Sequence, residues 1–239
     1  TDFGFLGLEF LALNHPVHAF LFELDEVIKE KSKDNFTRWM DDIIIGVDDR
    51  KSAIELISAI SDMLKSRGLA LNLAKTNIYT SEEAKYHFQI EVNQYLDELE
   101  SVGKDHKNYN KITTELKKKF KGHLKDQKPK YWDKIAKRYI TAFGRLESPK
   151  LLTEITDVYI NHPSLRPNLL IYLSKLGYKK RTAEKVEKIL SQIDVFDDVS
   201  LFQVCSLLTQ WEIPVNDASR EFLQRMNKEI LSKSFQTTK

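Results

Sequence analysis

Residues 36–47 read Phe-Thr-Arg-Trp-Met-Asp-Asp-Ile-Ile-Ile-Gly-Val, and two adjacent acids, Asp41 and Asp42, interrupt what is otherwise a buried β-hairpin pattern. Ile43, Ile44, Ile45 and Val47 are β-branched, as strands prefer, so residues 36–40 and 43–47 are expected to be the two strands. An uncompensated buried polar group costs about 2–7 kcal/mol, and a charged one more. An Asp-Asp pair alone is most often a solvated turn. Among Trp, Met and Ile, the expected compensation is a divalent cation.

The surroundings read as an α+β layer. Over residues 3–30, Leu6, Phe10, Leu13, Phe20, Leu21 and Leu24 recur at helical spacing, and Pro16 is expected to split the run into two helices. After the hairpin, Asp49 or the capping box Ser52-x-x-Glu55 can start a helix. Ala53, Ile57, Ile60 and Leu64 form its apolar face, and Gly68 closes it as a C′ residue. Residues 69–73 alternate into a strand near 76–79. The order helix, hairpin, helix, strand predicts helices packed on an antiparallel sheet. Ser81-Glu82-Glu83 opens a further helix carrying Phe88, Val92, Tyr95, Leu96 and Leu99. Residues 101–110 read as a linker, and a basic helix covers about 111–126.

Beyond Pro129 no strand pattern is evident. Helices are expected near 130–146, 149–160, 164–176, 181–193, 197–211 and 217–232, a spacing that suits stacked helical hairpins. The predicted organisation is residues 1–103 as a partial α+β domain and 104–239 as a basic, all-helical, HEAT-like domain.

Composition narrows the function. At 41% hydrophobic and 30% charged residues the chain reads as globular, and no apolar run reaches the roughly 20 residues of a membrane span. The chain opens on Thr1 with no basic-then-apolar leader, which reads as a processed chain or part of a longer one. The lone Cys205 cannot form an internal disulfide, fits a cytoplasmic setting and is expected to be a packed thiol. The six histidines show no zinc spacing with it. Asp48 and Asp49 read as helix-capping acids, and Tyr131-Trp132 as helical core. Net charge is +2, yet residues 104–138 hold 13 Lys/Arg against 4 Asp/Glu. Such asymmetry marks a polyanion-binding segment, centred on Lys117, Lys118, Lys119 and Lys121.

Two segments carry a family resemblance. Arg38-Trp39-Met40-Asp41-Asp42-Ile43 resembles the aromatic-x-Asp-Asp motif of reverse transcriptases. Gly68-Leu69-Ala70-Leu71-Asn72-Leu73-Ala74-Lys75-Thr76 resembles the G-L-x-L-N-x-x-K-T segment of the group II intron and retron types. Residues 1–27 look like the helix after the family's L-P-x-G turn, and the helical tail resembles bacterial abortive-infection and other defence-associated members. The resemblance implies a partial polymerase palm, with Asp41 as the main metal ligand of the hairpin and Asp42 as an ancillary ligand. It places Lys75 near the nucleotide phosphates, and the basic helix where a thumb grips duplex. The implied cofactor is Mg2+, with Mn2+ as a substitute; the implied partners are deoxynucleoside triphosphates and an RNA template or DNA product. Trp39 stands where the family usually has Tyr. The chain lacks the L-P-x-G turn and a strand with the first metal-binding Asp, so its metal site is expected to be incomplete and this stretch alone inactive. The expected function is RNA-directed DNA synthesis in antiphage defence. The alternative is a catalytically inert palm joined to a helical scaffold for protein or RNA, with homo-oligomerisation compatible with either.

Overall fold

The structure, a computed structural model, describes residues 4–8, 17–126, 131–192 and 198–234. Its contacts fall into two compact units, Thr1–Ile90 and Glu91–Lys239.

The first unit contains β1 (Gly4–Leu8), α1 (Val17–Ser32), β2 (Phe36–Trp39), β3 (Asp42–Val47), α2 (Arg50–Ser66), β4 (Asn77–Tyr79) and α3 (Ser81–His87). The strands form one antiparallel sheet in the order β2-β3-β1-β4. The α+β expectation therefore holds here, with one correction. The first part of the run read as helical, residues 4–8, is a strand between β3 and β4. Gly4 and Gly7 are poor helix formers, and two flanking strands supply backbone partners that a helix would not use. Phe10, Leu13 and Pro16 lie outside the described residues; the second expected helix is α1.

Side-chain alternation splits this sheet into two faces. Ile43, Ile45 and Val47 are buried on one face, against Leu21, Leu24 and Ile28 of α1 and Ala53, Leu56, Ile60 and Leu64 of α2. Capping fixes the ends of α2. Asp49 accepts a hydrogen bond from the Ser52 amide at 2.7 Å, so Asp49 is the cap and the Ser52-x-x-Glu55 box is not used. At the other end Gly68 has φ +70°. Its amide donates to the Lys65 carbonyl and the Leu69 amide to the Leu64 carbonyl, a Schellman closure in which Gly carries the left-handed residue without strain.

The second unit contains α4 (Ile90–Glu98), α5 (Tyr109–Lys125), α6 (Trp132–Arg145), α7 (Ile155–Asn161), α8 (Arg166–Leu176), α9 (Lys180–Gln192), α10 (Asp198–Gln210) and α11 (Asp217–Ser234). The one helix expected from Ser81 is two. Thr80, not Ser81, caps α3 through a capping box with Glu83, and Gln89 at φ 51° turns the chain before α4. Leu96 and Leu99 share a core with Leu116 and Phe120 of α5 and with Ile135, Tyr139 and Phe143 of α6. Contacts therefore change unit at Ile90, ahead of residue 103 where the composition changes. Further on, α6 packs on α8 and α8 on α10, while α7 packs on α9 and α9 on α11. That is a two-row helical stack with no strand among its described residues. No helix among the described residues is long and apolar enough to cross a membrane. Cys205 is half-buried on α10, and burial pushes its thiol up.

One polar contact ties α5 to α6. The Nε2–H of His123 donates to the Trp132 carbonyl at 2.8 Å, and the Trp132 indole donates to the His123 carbonyl at 2.7 Å. The two rings stack, and His162 lies against the other ring of the pair, Trp132, at 4.9 Å between centroids. Burial lowers the His123 pKa, although the bond to Trp132 and the charge of Asp126 act the other way; burial also lowers that of His162. Both imidazoles are therefore neutral in the folded chain where an unfolded histidine, near 6.5, begins to bind a proton. Stability from this cluster is complete above about pH 6.5 and is lost as pH falls through the lower folded values. Thermal unfolding of the full chain, scanned downward from about pH 7.5, should show a fall in midpoint beginning near 6.5. The double change His123→Gln and His162→Gln should flatten that fall; an unchanged profile would remove the cluster as its source.

Candidate active site

Asp41 and Asp42 sit where β2 turns into β3. Trp39 pairs with Asp42, leaving Met40 and Asp41 as a two-residue loop. Both acids are exposed, as are Trp39 (78%) and Met40 (61%). The burial penalty that the apolar flanks suggested is therefore not incurred, because those flanks are themselves at a hairpin tip. Paired positions share a face, so Trp39 and Asp42, then Thr37 and Ile44, line the side of the sheet opposite the α1–α2 core. The hairpin thus presents two exposed carboxylates and a flat aromatic wall at its tip.

Lys75 stands two residues before β4. It is exposed and ends the turn that begins at Asn72, whose carbonyl accepts from the Lys75 amide at 3.0 Å and the Thr76 hydroxyl at 2.9 Å. The Leu-Asn-x-x-Lys-Thr segment is therefore a polar turn that leads into β4.

The sequence assigns no role to Arg38 or Asp25. The Arg38 Nε and Nη2 each donate to an Asp25 carboxylate oxygen at 2.6 Å, and Nη1 donates to the Met40 carbonyl at 3.1 Å. The pair is 13 residues apart, so no local pattern reveals it. Period-2 alternation does place Arg38 with Phe36 on the core-facing side, where an unpaired charge is costly, and that signal could have prompted a search for its partner.

The four lysines of α5 do not act alike. Lys117 is half-buried, donates to the Thr153 hydroxyl at 2.6 Å and lies 3.3 Å from Glu154. Lys121 also reaches Glu154, at 3.2 Å. Burial pushes Glu154 up, but hydrogen bonds from Thr153, Lys121 and Lys117 outweigh it and hold the carboxyl below its ordinary value. Lys119 pairs with Glu115 at 3.9 Å and covers the Tyr95 ring. Lys118 alone of the four has no ion-pair partner among the described residues. It shares a shallow concavity with Thr114, Lys117, Lys121, Gly122 and Lys125. Lys125, seven residues on and on the same helix face, is the residue that the charge-run reading missed.

The donor chemistry fits a hard divalent cation: two accessible carboxylates, which is what Mg2+ takes from protein before completing its shell with water and phosphate oxygens. Among the described residues no third His, Cys, Asp or Glu joins them in a cluster, and Asp25 is committed to Arg38.

Two accessible carboxylates at a hairpin tip are suited to holding a cation against a phosphate-bearing substrate. Residues 15–130 match the model of the reverse transcriptase (RNA-dependent DNA polymerase) family. The match indicates a nucleotidyltransferase of the RNA-directed DNA polymerase family. It takes in the hairpin, the Lys75 turn and the whole of α5. No curated protein matches the chain.

The ion pairs make a distinction that binding can test. Changing Lys118 and Lys125 together to Gln should weaken nucleic-acid binding and flatten the log–log salt dependence by about 0.7–0.9 per lost phosphate contact. Lys117→Gln should instead lower thermal stability with little change of slope, since Glu154 holds that ammonium. The reverse pattern in a salt titration would overturn the distinction.

Proposed function

We propose that the chain works as an RNA-directed DNA polymerase, extending a 3′-hydroxyl by two-metal nucleotidyl transfer. The observation that carries this reading is the exposed Asp41-Asp42 hairpin tip, inside the segment that matches the family. Asp41 would be the principal ligand and Asp42 its neighbour, with a further carboxylate from outside the described residues. Mg2+, or Mn2+ in its place, would neutralise charge on the phosphates and on the attacking oxygen. Trp39 offers a flat wall beside Asp42, and Lys75 a charge for the phosphates of the incoming deoxynucleoside triphosphate. In the reaction the 3′-oxygen bonds to the α-phosphorus, the bond from that phosphorus to the bridging oxygen breaks, and pyrophosphate leaves with the electron pair. The hydroxyl proton passes to solvent or a base. Little covalent chemistry falls to the protein, so its work is positioning and charge compensation.

The α5 lysines, Lys118 first, would hold template or product through phosphate contacts. The two-row stack supports the HEAT-like reading of the helical domain. That arrangement, with the retron-type motifs, favours a place among defence-associated enzymes that act against phage in the cytoplasm.

A second reading keeps the palm inert and makes the helical unit a scaffold. The groove between α8 and α10, where Ile171 and Phe202 are exposed, favours it. Primer extension separates the two. Asp41→Ala should reduce incorporation by at least about 100-fold, as expected when charge stabilisation at the reacting group is lost, and Asp42→Ala should reduce it less. Undiminished incorporation by both variants would sink the catalytic assignment.

A further inference from the structure

We infer that Arg38 and Asp25 are positioning residues that fix the direction of the Asp41 carboxylate by clamping the hairpin tip to helix α1; this rests on the polymerase reading. The tip needs such a clamp. Met40 has φ 54°, a left-handed conformation that a side chain other than Gly or Asn adopts at a cost. Neither Met40 nor Asp41 has the residue type that makes a tight hairpin loop self-sufficient, and both are exposed. Left to itself, the loop would sample several conformations, and the Asp41 carboxylate would move with them.

Arg38 removes that freedom through one rigid group. Its guanidinium is planar, so the two bonds to Asp25 fix the plane, and the third nitrogen must then meet the Met40 carbonyl where it lies. That carbonyl belongs to the peptide joining Met40 to Asp41. Holding it sets the peptide plane from which the Asp41 side chain departs. The other end of the clamp is anchored, because Asp25 follows Leu24 and precedes Ile28, both fully buried in the core. Side-chain exposure of Arg38 and Asp25 is 17% and 24%, low enough that solvent does not dissolve the pair as it does most surface ion pairs. The path runs from core to α1, to Asp25, to Arg38, to the Met40 carbonyl and so to Asp41.

The face on which Arg38 lies decides its role. Arg38 alternates with Thr37 and Trp39, pairs with Ile43 and shares the core-facing side. Trp39 and Asp42 share the opposite side. A substrate on that opposite side meets Trp39 and Asp42 rather than Arg38, whose effect then passes through the tip. An apolar residue would fill this position against α1 without a buried charge. The bond to the Met40 carbonyl is the feature that packing alone does not call for.

The test uses the full chain with Arg38→Lys, which keeps the charge but loses the fork, and Asp25→Asn, which keeps the shape. Circular dichroism establishes the fold, Mn2+ titration followed by electron paramagnetic resonance reports the metal site, and primer extension gives kcat and KM. We expect both variants to fold, to need several-fold more Mn2+ at half-saturation, and to lose about 10- to 100-fold in kcat, the scale of a misplacement near 1 Å. KM for the nucleotide should move less than about threefold, since a displaced tip impairs the reacting geometry more than ground-state binding. The double variant should lose no more than the worse single one, because the two act as a unit. Unchanged kcat and Mn2+ midpoint, or variants that fail to fold, would overturn the positioning role and leave a plain structural pair. Asp41→Ala, measured alongside, keeps the two readings apart. If it retains incorporation, the polymerase reading fails; if it abolishes incorporation while Arg38→Lys matches the parent, only the clamp fails.

Discussion

Side-chain alternation along β3 is the constraint on which the site depends. Ile43, Ile45 and Val47 share one buried cluster with the apolar faces of α1 and α2. Once those three face inward, Asp42 and Ile44 face outward, and Asp41 is carried to the edge with them. A slip of one residue would bury Asp42 and expose Ile43 and Ile45 together. Pairing with β1 on one side and β2 on the other makes that slip costly. The position of the acids is therefore fixed by hydrophobic burial on the far face.

The same logic separates the cations. A lysine beside a carboxylate that is itself partly buried becomes structural, as Lys117 does beside Glu154. A lysine one position along points to solvent and stays available for phosphate. Charge density in a sequence window counts both kinds alike, so the run Lys117-Lys118-Lys119-Phe120-Lys121 overstates what α5 can offer an incoming polyanion. The face bearing Lys118 and Lys125, with bare Gly122 between them, is the part whose charge is not already used.

Much of this fold is legible in the sequence. The helices α6 to α11 follow from 3.6-residue periodicity broken at Pro149, Pro163, Gly177 and Pro214. The hairpin follows from β-branched runs flanking two acids, and Gly68 at φ +70° from its place after the last periodic residue of α2. What failed had non-local causes. Residues 4–8 spell a weak helix and become a strand because β3 and β4 supply partners from about 40 and 70 residues away. The helix expected from Ser81 through Leu99 breaks at Gln89 with no Gly or Pro to announce it. The apolar neighbours of Asp41 and Asp42 suggest burial, whereas a two-residue loop exposes Trp39 and Met40 with them. The Arg38–Asp25 pair is invisible for the same reason as β1: its partner arrives only through tertiary packing.

Sequence relationship and packing divide this chain differently. The family match ends at residue 130, yet contacts change unit at Ile90. Helix α5 thus lies in the matched segment by sequence and in the helical unit by burial, with Leu116 and Phe120 fully buried in one core with residues of α4 and α6. Phe120 meets the rings of Tyr139 and Phe143 at 5.6 and 6.0 Å, and uncovering a side chain of that size costs about 1.5–3 kcal/mol. A boundary drawn at the end of the match would remove α6 and expose that ring. The basic helix is held in shape by residues that the family match does not reach, so the surface proposed to meet nucleic acid depends on the helical stack for its rigidity.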